Sequence, residues 1–311
     1  MDLKECFMKI QERNYGIDLL RILSMFMIVI LHVLGRGGIL GVAEVLSVHY
    51  EVAWLLEIFC YGAVNMYALI SGYVGVNSKY KLSNIITLWL QVFFYTFFIT
   101  IIFMAFKIIP INFGNILKAF LPVSTKAYWY FTAYFVLFFT MPMLNKAVKE
   151  LEEKHLKLLV YGGMILFSLI PTIFMTDIFG TSSGYSAIWL IYLYILGAYV
   201  KEKEERFNKI TPHFATNGFL ILILLTWLSR VVIEFMTLRI FNKIFGSDIL
   251  ISYTSPTILI SSILFLCYFK NISLSEKLRK VVSFLTPMTF GVYLIHVNPL
   301  VWEYIMKRYT P

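Results

Sequence analysis

Apolar runs of roughly 20 residues, separated by short polar stretches, recur from one end of the chain to the other. An α-helix needs about that many residues to cross some 30 Å of hydrocarbon. The pattern predicts nine crossings, over 17–34, 52–74, 84–106, 127–143, 158–175, 186–200, 215–236, 249–269 and 282–306. The run at 186–200 is short and Pro142 sits near the end of 127–143, so each is expected to be tilted, kinked or partly interfacial. No fixed-period repeat and no soluble domain of ordinary size fits between them. The mixed-sign stretches Lys146–Lys157 and Lys201–Lys209 read as solvated connections. The expected architecture is an all-α polytopic transmembrane helix bundle, one domain over residues 1–311.

Composition narrows the class: 59% of the 311 residues are hydrophobic and 14% charged, with mean hydropathy +0.76, which excludes an ordinary soluble protein. With the N-terminus in the cytoplasm, 17 Lys and Arg fall on that side and eight on the other, namely Arg36, Lys107, Lys118, Lys126, Arg239, Lys243, Lys307 and Arg308. That bias is the positive-inside pattern, so the N-terminus is expected to be cytoplasmic. The net charge of +9 then belongs to topology and anionic lipid rather than to nucleic acid. Cys6, Cys60 and Cys267 lie far apart without C-x-x-C spacing, and no disulfide framework is expected. The opening residues are polar and no small-residue cleavage site follows the first apolar run, which reads as a retained helix.

Polar residues inside the runs carry the candidate chemistry. Arg21 and His32 are eleven residues apart, about 1100° of helix, or roughly 20° past three whole turns, and about 16 Å of rise. They share one face. Asp18 is placed to pair with Arg21 across one turn. Either Arg21 snorkels to the headgroups and His32 ends the helix, or the shared face lines a passage. In the second case a guanidinium near the cytoplasmic mouth holds a phosphate, with Lys79 and Lys81 adding positive potential, and an imidazole deeper in takes a proton from a hydroxyl.

The second run places Glu57 at the depth of His32, either as the carboxylate that orients its ring or as a structural group in an outer vestibule. Asn65 is mid-membrane and needs a partner inside the bundle. Ser71 and Gly72 sit near the level of Arg21, where a hydroxyl and a close backbone approach suit either helix packing or a ligand. His296, in the last run, falls at the depth of His32 and is either a structural histidine or a second group at one reaction centre. No H-x-x-x-H or Cys and Asp set completes a metal site. Lys126, Tyr128, Trp129 and Tyr130 form a boundary cluster that reads as an aromatic belt or as a stacking surface for a sugar. Arg230 and Glu234 are expected to pair inside the membrane.

Taken in order, YGIDLL followed by Arg21 and His32, the SGY at Ser71–Tyr73, YWYFTAYFVLFFTMPML and GVYLIH ending at His296 resemble the acyltransferase-3 family of membrane enzymes that O-acetylate bacterial surface polysaccharides. The resemblance implies an acyl group, usually acetyl, taken from cytoplasmic acyl-coenzyme A and delivered to a hydroxyl of a lipid-linked or surface glycan. It implies that His32 is the catalytic histidine, Arg21 its paired arginine, and Ser71 and Gly72 the lining of the acyl-donor region. The chain departs from the family pattern at Asn65-Met66-Tyr67, where two phenylalanines are common, and carries only Lys79 and Lys81 where arginines are expected. Members typically have ten crossings, so a final helix is expected to be missing here. A transporter or flippase of a lipid-linked sugar, and a membrane protein that keeps the fold without chemistry, are the alternative functions.

Overall fold

The structure, a computed structural model, describes residues 13–123, 125 and 127–306. Cys6, Lys126, Lys307 and Arg308, each given a side or a role above, lie outside the described residues. Every regular element among the described residues is helical.

Asn14 opens the first helix, α1 (Tyr15–Leu31), by accepting the Ile17 amide at 3.0 Å. At His32 the helix does not stop. One π-helical turn, His32–Arg36, carries it on to the short α2 (Ile39–Val42). Such an inserted turn widens the helix locally and is frequent at functional sites. The chain returns through α3 (Val48–Tyr61) and α4 (Ala63–Gly75), two halves of one run that meet at Gly62. Next comes α5 (Leu82–Ala105), on which Ile86, Leu90, Phe94, Phe98 and Ile102 form an exposed stripe while Val92, Thr96, Thr100 and Phe103 face inward. A greasy outer stripe of this kind is what lipid requires.

A short α6 (Phe113–Phe120) leads to α7 (Trp129–Glu150). The expected end of this segment near Pro142 is corrected, because the helix runs through the proline to Glu150. One missing N–H costs a single ladder bond, and packing on both sides keeps the helix going. Then α8 (Glu153–Met164), a second π-turn at Ile165–Leu169 and α9 (Ile170–Phe174) make one run. The following α10 (Ala187–Glu202) is buried almost continuously from Trp189 to Val200 and is the centre of the bundle. It lies closest to α4: a Cβ on Gly72 would overlap the Tyr194 carbonyl, and one on Gly197 the Leu69 carbonyl. Paired glycines let two helix backbones approach at the distance that gives the most dispersion contact.

The small α11 (Glu204–Phe207) precedes the long α12 (Pro212–Phe241), and α13 (Pro256–Lys270) packs along it. The last run comprises α14 (Glu276–Leu285), a 3₁₀ turn at Thr286–Met288 and α15 (Thr289–His296). Here the expected crossing over 282–306 is also corrected. The run begins at Glu276 and breaks after His296, and α16 (Pro299–Tyr304) starts anew. Asn298 causes the break by accepting the Leu300 amide at 2.9 Å, and Pro299 follows it with no N–H to extend the earlier helix.

Among the described residues, seven runs are long and apolar enough to cross a membrane: Tyr15–Val42, Val48–Gly75, Leu82–Ala105, Trp129–Glu150, Glu153–Phe174, Pro212–Phe241 and Glu276–His296. The sixth and eighth predicted segments correspond to α10, of 16 residues, and α13, of 15. Both are shorter than a perpendicular crossing requires, so the expected nine become seven full-length spans and two short helices. The chain is a multi-pass, all-helical membrane protein.

Candidate active site

The π-turn at the end of α1 and the broken end of α15 meet. His32 Nδ1 lies 3.0 Å from His296 Nε2, and His296 Nδ1 lies 2.7 Å from the Val292 carbonyl oxygen. A carbonyl only accepts, so His296 Nδ1 carries a proton, and a neutral His296 then presents a bare Nε2. His32 Nδ1–H donates to that nitrogen. The remaining His32 Nε2 is left with its lone pair free. The break at Asn298 is what brings His296 here, because it ends α15 at the depth where α1 changes pitch.

Beside His32 is a cavity of about 430 Å³. Its wall includes Glu57, Tyr61, Trp129, Tyr185 and Tyr253, and its floor toward Arg21 is Met25, Tyr67 and Tyr130. Trp129 and Tyr185 have ring centroids 4.6 Å apart with planes at 54°, and Tyr185 and Tyr253 5.0 Å apart with planes at 51°, forming an angled aromatic cluster. Arg36 lies over the Trp302 ring at 4.8 Å and borders the cavity as well. Tyr185 arrives on a loop that Asp177 folds: its carboxylate accepts the Thr181 amide at 2.8 Å, the Thr181 hydroxyl at 2.7 Å and the Ser182 amide at 2.6 Å. Burial pushes the Asp177 carboxyl up, but these hydrogen bonds outweigh it and hold the group below the usual aspartate range.

Glu57 is buried against Gly35 of the π-turn, where a Cβ would come within 3.3 Å of Glu57 Oε1. Its Oε2 has no hydrogen-bond partner among the described residues. The ring nitrogen that Glu57 was expected to engage is held by His296 instead, so Glu57 faces the cavity rather than orienting His32.

Arg21 is partly exposed at the far end of α1 and pairs with Asp18 at 3.2 Å, while Arg13 meets the other Asp18 oxygen at 2.6 Å. It does not line the cavity. Tyr67 stands between, donating its hydroxyl to the Arg21 carbonyl at 2.9 Å while its ring faces the cavity. The passage expected to join Arg21 to His32 is therefore closed by aromatic rings in this structure. Gly72 is corrected too: it is buried in the α4–α10 contact with no space for a ligand. Ser71 donates to the Tyr67 carbonyl at 2.9 Å. Lys79 and Lys81 are exposed in the turn before α5, at the Arg21 end of the bundle.

Asn65 and Arg230, the other membrane polar residues singled out in the sequence, find partners. Asn65 donates to the Tyr253 carbonyl at 2.7 Å and accepts the Trp189 indole at 3.0 Å, which ties α4 and α10 to the loop that carries Tyr253. Arg230 pairs with Glu234 and Asp248 and donates to the Tyr50 hydroxyl at 2.7 Å. Cys60 and Cys267 are buried free thiols. Sequence reasoning missed Tyr61, Tyr185, Tyr253 and Tyr293. The position of Tyr293, one turn before His296 in GVYLIH, was a signal that helical spacing carries, whereas Tyr185 and Tyr253 come from loops with no periodicity to read.

A family model described as an acyltransferase domain matches residues 14–310. No curated protein and no solved structure matches the chain.

Proposed function

Since the chain belongs to the acyltransferase-3 family, we propose that it transfers an acyl group, acetyl in the first instance, from cytoplasmic acyl-coenzyme A to a hydroxyl of a cell-surface or lipid-linked glycan. The observation that carries this reading is the Val292–His296–His32 chain at the wall of an aromatic cavity, because it leaves one imidazole nitrogen bare where a hydroxyl can enter. His32 is the general base. His296 is a positioning residue that fixes the ring and the tautomer, the part a carboxylate plays in other hydroxyl-activating sites.

The acceptor sugar stacks its C–H side on Trp129, with Tyr185 and Tyr253 enclosing it at an angle. A neighbouring sugar hydroxyl donates to Glu57, which satisfies the partnerless oxygen. At the opposite end Arg21, with Lys79 and Lys81, receives the phosphates of coenzyme A. Holding donor and acceptor from opposite ends supplies the alignment that free reactants lack.

The test gives native membranes containing the full-length protein radiolabelled acetyl-coenzyme A and measures label in glycan. Wild type is expected to label it, and His32→Ala to lower the rate by about 10²–10⁴-fold, the usual range for general-base catalysis. Equal labelling by a stably folded His32→Ala protein would remove His32 from the chemistry. Movement of unmodified sugar across sealed vesicles, with no covalent change, would favour a transporter.

A further inference from the structure

Two hydroxyls near the cavity floor have no partner. Tyr130 and Tyr293 both line the cavity, their ring centroids are 6.4 Å apart, and both phenolic oxygens are buried without a hydrogen bond. Partnerless buried hydroxyls are rare and costly. Neighbouring tyrosines do not share the defect: Tyr128 donates to the Leu294 carbonyl at 3.0 Å and accepts from Asn298 at 2.9 Å, and Tyr67 donates to Arg21.

The surroundings of the pair are those of a site for developing negative charge. Helix α7 starts at Trp129, and its capping position, Tyr128, offers no side-chain acceptor to the first amides. The Tyr130 and Phe131 amides at the start of α7 are directed at the Tyr293 oxygen, whose own proton has no acceptor. The positive end of a 22-residue helix is thus turned on a phenol whose own proton is unused. Tyr293 stands one turn from His296, with ring centroids 6.3 Å apart, and His296 holds the base. Tyr130 also packs on Tyr67 and Tyr134, at 6.4 and 6.5 Å, in the cluster that closes the way to Arg21.

We propose that the Tyr130 and Tyr293 hydroxyls are the oxyanion donors of this acyltransferase, and that the acyl arm reaches them by parting the tyrosine cluster between Arg21 and the cavity. This rests on the acyl-transfer reading above. The acceptor O–H gives its proton to His32 Nε2 while its oxygen bonds to the thioester carbon, and the C=O π pair moves onto the carbonyl oxygen between the two phenols. When that pair returns, the C–S bond breaks and the sulfur takes the proton from His32. Ester and free thiol result. In the absence of donor the rings stay together, which seals the membrane and keeps both hydroxyls dry.

The test uses the full-length protein in nanodiscs and two probes, acetyl-coenzyme A and a trifluoromethyl-ketone thioether of coenzyme A, whose hydrate resembles the tetrahedral intermediate. Wild type is expected to bind the ketone more tightly than acetyl-coenzyme A. Tyr293→Phe and Tyr130→Phe, which keep the rings, should each lose roughly tenfold or more of that preference, keep their acetyl-coenzyme A affinity and thermal midpoint, and turn over about 10²-fold more slowly. An undiminished preference in the double variant would overturn the proposal while leaving acyl transfer standing. A wild-type protein that binds neither coenzyme A compound would overturn both. Should one variant fail to fold, the other reads the same split between ketone and thioester.

Discussion

His32 has two ring nitrogens, and only Nε2 is open to a substrate, because His296 occupies Nδ1 at 3.0 Å. A neutral imidazole can hold either tautomer, and the Val292 carbonyl at the end of the chain selects between them. Substituting His296→Ala is therefore expected to lower turnover roughly tenfold or more, short of the loss from removing the base itself, with little change in either KM. His296→Gln, which retains an acceptor, should recover part of the rate; equal KM and kcat losses in both variants would reduce His296 to packing. For Arg21→Ala the donor KM should rise about 10–100-fold, the worth of one charge-assisted contact. An unaltered donor KM would leave Arg21 a snorkelling residue. Helical arithmetic was enough to place Arg21 and His32 on one face of α1. It gave the depth of Glu57 and His296 but not their azimuth, and azimuth decides which of them meets His32: a carboxylate was the chemical expectation, and the histidine is the neighbour.

At the scale of elements, Gly72 and Asp177 make opposite kinds of claim. Gly72 sits where α4 and α10 touch, so Gly72→Val should lower the thermal midpoint in detergent, with a cost of about 1–3 kcal/mol or more from overpacking. The drop is expected with or without coenzyme A, whereas a donor-binding role would change the donor KM and spare the midpoint. Asp177 instead holds the loop that delivers Tyr185. Its carboxyl is held below the usual range in the folded loop, so the stabilisation is present above the ordinary aspartate value, ~3.9, and is lost as pH falls through the lowered one. Hydrogen exchange at the Thr181 and Ser182 amides should show that protection at neutral pH and lose it in strong acid. Asp177→Ala should lose it at every pH. The helices themselves were readable as apolar runs. The π-turn at His32–Arg36 was not, since one extra residue in a turn leaves the apolar pattern unbroken. The break at Asn298–Pro299 had its capping and proline signals, but a continuous apolar run masked them.

For the whole molecule, the account joins two ends of one bundle through a closed aromatic floor. Length and hydropathy identify a membrane bundle at once, but they do not distinguish the seven long apolar runs from α10 and α13, which are short helices buried against their neighbours. Closure by Tyr67, Tyr130 and Tyr134 could not be read from a pattern, since aromatic residues are spread through every run. The transfer reading makes the two ends unequal: donor at the Arg21 end, acceptor at the His32 end. The most direct test supplies labelled acetyl-coenzyme A to one face of sealed vesicles carrying the protein and its native glycan, in both orientations, with His32→Ala as the blank. The account predicts labelled glycan only when the donor meets the Arg21 face, and none above background in the variant. Equal labelling from either face, or label that persists without the imidazole, would contradict it.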